Sequence, residues 1–99
     1  MMSVDVTRAS LVLPSGVAVV VARVRVPPVG ARGVRLAVRG ECDVHVGLVA
    51  TCEGHLPLEL RVPELNRFAV PSGVEVVFTA LQRSGADAVF FLRALCLVE

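Results

Sequence analysis

The residues best equipped by type to do chemistry are Cys42, His45, Cys52 and His55, which stand in the order C-x2-H-x6-C-x2-H. Two thiolates and two neutral imidazoles make a tetrahedral zinc donor set, provided all four reach one ion. The residues between the pairs argue against that. Val44, Val46, Leu48 and Ala50 fall on one side of an alternating run, Val44–Thr51, which reads as a strand with one buried face. At ~3.3 Å per residue such a strand holds its two ends about 25 Å apart. The expectation is two separate pairs and no metal. A cysteine nucleophile fares no better. Cys42 has Asp43 and His45 beside it in sequence, but a thiol, its base and an orienting acid must converge in space, and neighbours at a strand end point in different directions.

Other chemistry is equally sparse. Gly30-Ala31-Arg32-Gly33 and Gly40 do not lie between a strand and a helix, as a phosphate loop would. Arg23, Arg25, Arg32, Arg35 and Arg39 could form a basic stripe for phosphate contacts, although arginines alternating along strands are ordinarily the solvated face of a sheet. The chain has no Trp and no Tyr, so it lacks the aromatic platforms on which single strands stack. Phe78, Phe90 and Phe91 read as core or subunit contacts. No catalytic residue, cofactor or metal is therefore expected, and nucleic acid is an improbable partner at a net charge of +1.

The elements that would position any site are short and apolar. The 99 residues suit one domain. Hydrophobic residues make up 55% of them, above the ~45–50% that is usual even with Gly counted. A chain this small has one modest core in which to bury them. The longest apolar run, Val17–Ala22, has six residues, far short of the ~18 of a membrane-spanning helix, so the surplus points to self-association. Charge is unevenly spread: residues 1–40 hold six Arg and one Asp, residues 41–99 four Arg and eight acids, and there is no Lys. Coding bias accounts for much of this; an assembly with one basic and one acidic end is the functional alternative. Three Cys cannot close a disulfide framework, and Met1–Ser10 carries Asp5 and Arg8 with no apolar stretch, so it does not read as a secretory leader. A reducing intracellular setting is expected.

In chain order, Val4 and Val6 suggest an edge strand or arm, and Leu11–Leu13 runs into the Pro14-Ser15-Gly16 turn. Val17–Val26 follows, then a loop at Val29–Gly33. Val34–Arg39 and Val44–Thr51, joined by Gly40–Asp43, read as a hairpin with one apolar face. Leu56–Val62 contains Pro57, which suits an edge. Pro63–Phe68 suggests one helical turn, and Pro71-Ser72-Gly73 opens a second hairpin, Val74–Leu81 with Ala88–Val98, around Arg83–Asp87. The stretch Leu13-Pro14-Ser15-Gly16-Val17 is echoed 57 residues later by Val70-Pro71-Ser72-Gly73-Val74. Seven or eight strands with turns between them predict an all-β chain, an eight-stranded sandwich of jelly-roll or Greek-key type. Its last strand is unusual. Ala88, Phe90, Leu92, Ala94, Cys96 and Val98 are apolar on one side, and so are Val89, Phe91, Leu95 and Leu97 on the other, with Arg93 the exception. Such a strand needs cover on both faces, and Val89, Phe91, Leu95 and Leu97 are the candidate subunit contacts.

Leu56-Pro57-Leu58-Glu59-Leu60, Gly73-Val74-Glu75-Val76-Val77-Phe78, Ser84-Gly85 and Ala88–Glu99, with Leu13-Pro14-Ser15-Gly16 earlier, resemble the nucleoplasmin-like domain. That domain occurs in the nucleoplasmin and nucleophosmin histone chaperones and in front of some FK506-binding prolyl isomerases. The likeness covers about half the chain and lies in pattern. It implies an eight-stranded jelly roll that assembles into a ring, typically a pentamer, and handles histones or other basic proteins in the nucleus. On that reading the exposed acids Glu53, Glu59, Glu64 and Glu75 would meet the partner. The chain departs from the family in having no acidic tract and in carrying Leu92 where the closing strand has a Gly. A viral-type jelly-roll structural protein, or a dUTPase-like protein without catalysis, is the alternative; a metal-dependent enzyme comes third.

Overall fold

Alternating Val, Leu and Phe positions, cut at intervals by Gly and Pro, set the strands. The computed structural model describes residues 2–28, 34–55 and 57–98, with no helix among them. The loop expected at Val29–Gly33 lies outside these residues. The strands are β1 (Met2–Leu13), β2 (Val19–Arg25), β3 (Val34–Cys42), β4 (Val46–Cys52), β5 (Leu58–Leu60), β6 (Leu65–Val70), β7 (Glu75–Gln82) and β8 (Ala88–Val98). They form two four-stranded sheets, in the orders β1-β8-β3-β6 and β2-β7-β4-β5. All neighbouring strands are antiparallel. The chain is an all-β sandwich, as its composition and turn spacing predict.

The pairing differs from the sequence reading at both hairpins. β3 pairs with β6 and β8, while β4 pairs with β5 and β7, so Val34–Arg39 and Val44–Thr51 are not sheet neighbours. β7 and β8 likewise lie in different sheets. Gly40, Glu41 and Cys42, expected in the connection, extend β3 instead, and the connections at Asp43–His45 and Arg83–Asp87 are corners that carry the chain from one layer to the other. The reason is that alternation reports which side of a strand is buried and is silent about its neighbour. The inward residues Val34, Leu36 and Val38 of β3 and Val46, Leu48 and Ala50 of β4 are all buried, each set within its own layer of one core. Among consecutive strands, only β4 and β5 are paired with each other.

Helical structure at Pro63–Phe68 is also corrected. The Asn66 side chain closes the Arg61–Glu64 bend in place of a helical turn: Oδ1 accepts from the Arg61 N–H at 2.9 Å, and Nδ2 donates to the Arg61 and Glu64 carbonyls at 2.8 and 3.0 Å. With those backbone groups satisfied, Leu65–Val70 is free to pair with β3. The Val62–Pro63 peptide within the bend is cis.

The internal echo has a structural counterpart. Both Pro-Ser-Gly turns lead from the first sheet into the second, one into β2 and the other into β7, which are antiparallel partners. Gly16 N–H donates to the Gln82 carbonyl at the end of β7 (2.7 Å), and Gly73 N–H donates to the Val26 carbonyl just beyond β2 (3.0 Å). Each turn thus caps the far end of the strand that the other one opens. Both glycines have φ of 78°, the left-handed region that side chains disfavour.

Phe78, Phe90, Leu13, Leu36 and Leu48 are the largest apolar side chains sealed between the sheets; burying each such group stabilises the fold by about 1.5–3 kcal/mol. Gln82 is the buried polar residue among them, and its amide is fully used. Nε2 donates to the Leu13 and Ala86 carbonyls at 2.9 and 2.7 Å, and Oε1 accepts from Ser84 N–H at 2.7 Å. The contact with Leu13 ties the end of β1 to β7 across the two layers.

Candidate interaction face

β8 runs through the interior of the first sheet, between β1 and β3. Its even side chains from Phe90 to Cys96 enter the core. The odd ones face out of the sandwich. Val89 and Phe91 are 48% and 51% exposed, and Leu95 and Leu97 are half-buried. Nothing among the described residues therefore seals the outer side of this strand. Strand register extends the face sideways: Val12 (56% exposed) stands opposite Val89, Ser10 opposite Phe91, and Glu41 opposite Phe91 on the other flank. Further along, Ala37 lies between Leu95 and Arg67 and is buried although it points outward.

A row of charge divides this apolar surface. Arg93 is opposite Arg8 of β1 and opposite Arg39 of β3, so three guanidinium-bearing residues stand side by side across adjacent strands. With Phe91 and Glu41 they line an open groove of ≈ 520 Å³. Arg35 and Arg67 are exposed on the same face. The sequence signal did not find this row. The stripe that Arg23, Arg25, Arg32, Arg35 and Arg39 could have formed is split: Arg23 and Arg25 belong to β2 in the second sheet, Arg35 and Arg39 to β3 in the first, and Arg32 lies outside the described residues. No local spacing marks Arg8, Arg39 and Arg93, because their proximity depends on pairings between strands far apart in the chain.

The four acids expected to meet a partner are all exposed, but they do not form one surface. Glu53 follows β4 and shares a shallow groove with Glu75 at the start of β7. Glu59 lies in the short edge strand β5 and Glu64 in the bend beyond it, and the two line a separate groove. Glu75 pairs with Arg23 at 3.4 Å and Glu64 with Arg61 at 3.7 Å. Both pairs are solvent-exposed and add little stability; their effect is to neutralise half of the acidic set.

The thiols and imidazoles sit where a strand would put them. Cys42 ends β3 and His45 precedes β4, Cys52 is the last paired residue of β4 and His55 lies beyond it, and both histidines are exposed. Among the described residues no three of His, Cys, Asp and Glu stand close enough to share an ion. Cys96 is sealed in the core, and burial pushes its thiol pKa up.

No protein-family model, curated protein or solved structure matches this chain, so a functional reading has to be drawn from the face itself.

Proposed function

We propose that this protein is a self-assembling, non-catalytic scaffold, a jelly-roll sandwich whose copies associate through the outer face of the β1-β8-β3-β6 sheet. The nested pairing of β1 with β8, β2 with β7, β3 with β6 and β4 with β5 supports the jelly-roll description. The observation that carries the assembly is the half-exposure of Val89 and Phe91 on a strand in the middle of a sheet. A central strand with large apolar groups on its solvent side is the usual mark of a surface that another molecule covers. By the nucleoplasmin-like resemblance, the assembly is a ring, with five copies the expected number, that holds histones or other basic proteins in the nucleus. Glu53 and Glu59 are the better candidates for that contact, since Glu64 and Glu75 already have arginine partners.

Light scattering on the purified protein tests the assembly. Five copies support the ring, three favour the viral-type alternative, and a single copy at high concentration overturns the proposal. Phe91→Asp with Leu95→Asp should reduce the mass to that of one chain while the far-ultraviolet circular dichroism stays that of a β protein. Retention of core histones at low salt and its loss at moderate salt would support the chaperone role; no retention at either salt leaves only the scaffold.

A further inference from the structure

β1 is the longest strand and pairs only with β8 among the described residues, so the backbone groups along its other side have no strand partner there. Such an edge is a template for another strand, and proteins ordinarily blunt it by shortness, bulges or charge. The edges of the second sheet are treated in that way: β5 has three residues, and β2 slips register between Val20 and Ala22 and carries Arg23 and Arg25. β1 has its own slip, between Asp5 and Thr7, but residues 7–13 beyond it are regular. The core side of that segment is short of cover. Ala9 and Leu11 point into the sandwich and are only half-buried, whereas Leu36 and Val38 of β3 are sealed. Around the same edge, where β1 lies against β2, Val12, Val17 and Val20 are left exposed.

We infer that residues 7–13 of β1 pair antiparallel with the same residues of a second copy, about a two-fold axis at Ser10. The limits of the segment select this occupant. It is bounded by the register slip on one side and by Pro14, which has no N–H, on the other. Its midpoint is Ser10, so a copy laid across that residue uses the whole segment, as a two-fold contact between identical patches requires. The sides also match. Antiparallel strands share an inner face only in registers that pair odd residues with odd ones and even with even. Here Ala9 stands opposite Leu11 of the second copy, which covers the half-buried pair, and Arg8 stands opposite Val12. A register centred on Arg8 would instead set like charges against each other. Gln82 already reaches the Leu13 carbonyl, but that group falls in the last pair and keeps a second lone pair.

This contact does not rest on the outer face, because edge pairing leaves the outward side chains on the surface of one joined sheet. A standard interface has about 20–30 residues a side, far more than residues 7–13 supply, so the pairing is transient and the experiment has to trap it. Oxidative cross-linking in a Cys42→Ser/Cys52→Ser background does so, since the remaining Cys96 is sealed in the core. Directly opposite residues are close enough for a disulfide. Ser10→Cys should shift to twice the mass of one chain. Arg8→Cys and Val12→Cys should each stay single alone and link to one another when mixed, all three with the circular dichroism of the parent. Adding Phe91→Asp/Leu95→Asp should leave the Ser10→Cys link in place, which separates this contact from assembly through the face. A Ser10→Cys protein that stays single overturns the edge pairing, as does a Val12→Cys protein that links to itself while Ser10→Cys does not.

Discussion

Gly40 of β3 lies against the ring of Phe90 of β8, so closely that a Cβ on Gly40 would stand 2.9 Å from Phe90 Cζ and 3.1 Å from Cε1. Phe90 is fully buried, which leaves its ring no direction in which to retreat. Gly40→Ala should therefore destabilise the protein by about 1–3 kcal/mol, as overpacking of a filled core does. Phe90→Leu should recover part of that loss in the double variant relative to the additive expectation. Urea unfolding of the four proteins in the cycle measures both quantities, and strictly additive effects would show that the two residues do not compete for space.

The paired Pro-Ser-Gly corners make a second, symmetric prediction. A Cβ at Gly16 meets nothing within 4 Å, and at Gly73 it meets Pro28 at an ordinary 3.9 Å. The cost of Gly16→Ala and of Gly73→Ala is then almost wholly that of the left-handed backbone, about 1 kcal/mol each. Asn at either site, which tolerates that conformation better, should cost less. Thermal unfolding that ranks Ala and Asn equally would contradict the backbone explanation.

Gln82 is the one buried polar residue among the described side chains, and it satisfies three backbone groups. Gln82→Met fills similar space and strands all three. Unsatisfied buried groups cost about 1–3 kcal/mol apiece, and water can reach those of the exposed 84–86 turn, so a total of about 2–4 kcal/mol is expected. Amide exchange at Ser84 should accelerate in the same variant. Unchanged protection there would mean that the turn holds itself.

Cys96 should behave unlike the other two thiols. In the native protein a thiol reagent should modify the half-buried Cys42 and Cys52 and reach Cys96 only as the sandwich opens. Burial raises the Cys96 pKa, which favours the neutral thiol in the folded state. Its contribution to stability is thus complete below the ordinary thiol pKa of about 8.5 and lost as pH climbs past it toward the folded value. Cys96→Ala should flatten that alkaline decline. Equal labelling of all three thiols would place Cys96 nearer to solvent than the core allows.

Much of this architecture follows from local pattern. The period-two alternation of Val34–Arg39 and Val44–Thr51 settles which side chains face inward, the Pro-Ser-Gly repeats mark where the chain turns, and the apolar outer side of Ala88–Val98 is legible from composition alone. These are properties of a strand against one layer, and they cost the same whichever strand lies beside it. What only the tertiary structure decided is neighbourhood. That β3 lies beside β8 and β6, and that β7 and β8 part at a corner, depends on the closure of two layers over a common core. Local periodicity is identical for a hairpin and for a corner. Arg8, Arg39 and Arg93 are separated by tens of residues in the chain, and only the β1-β8-β3 order of the folded sheet gathers them into one row.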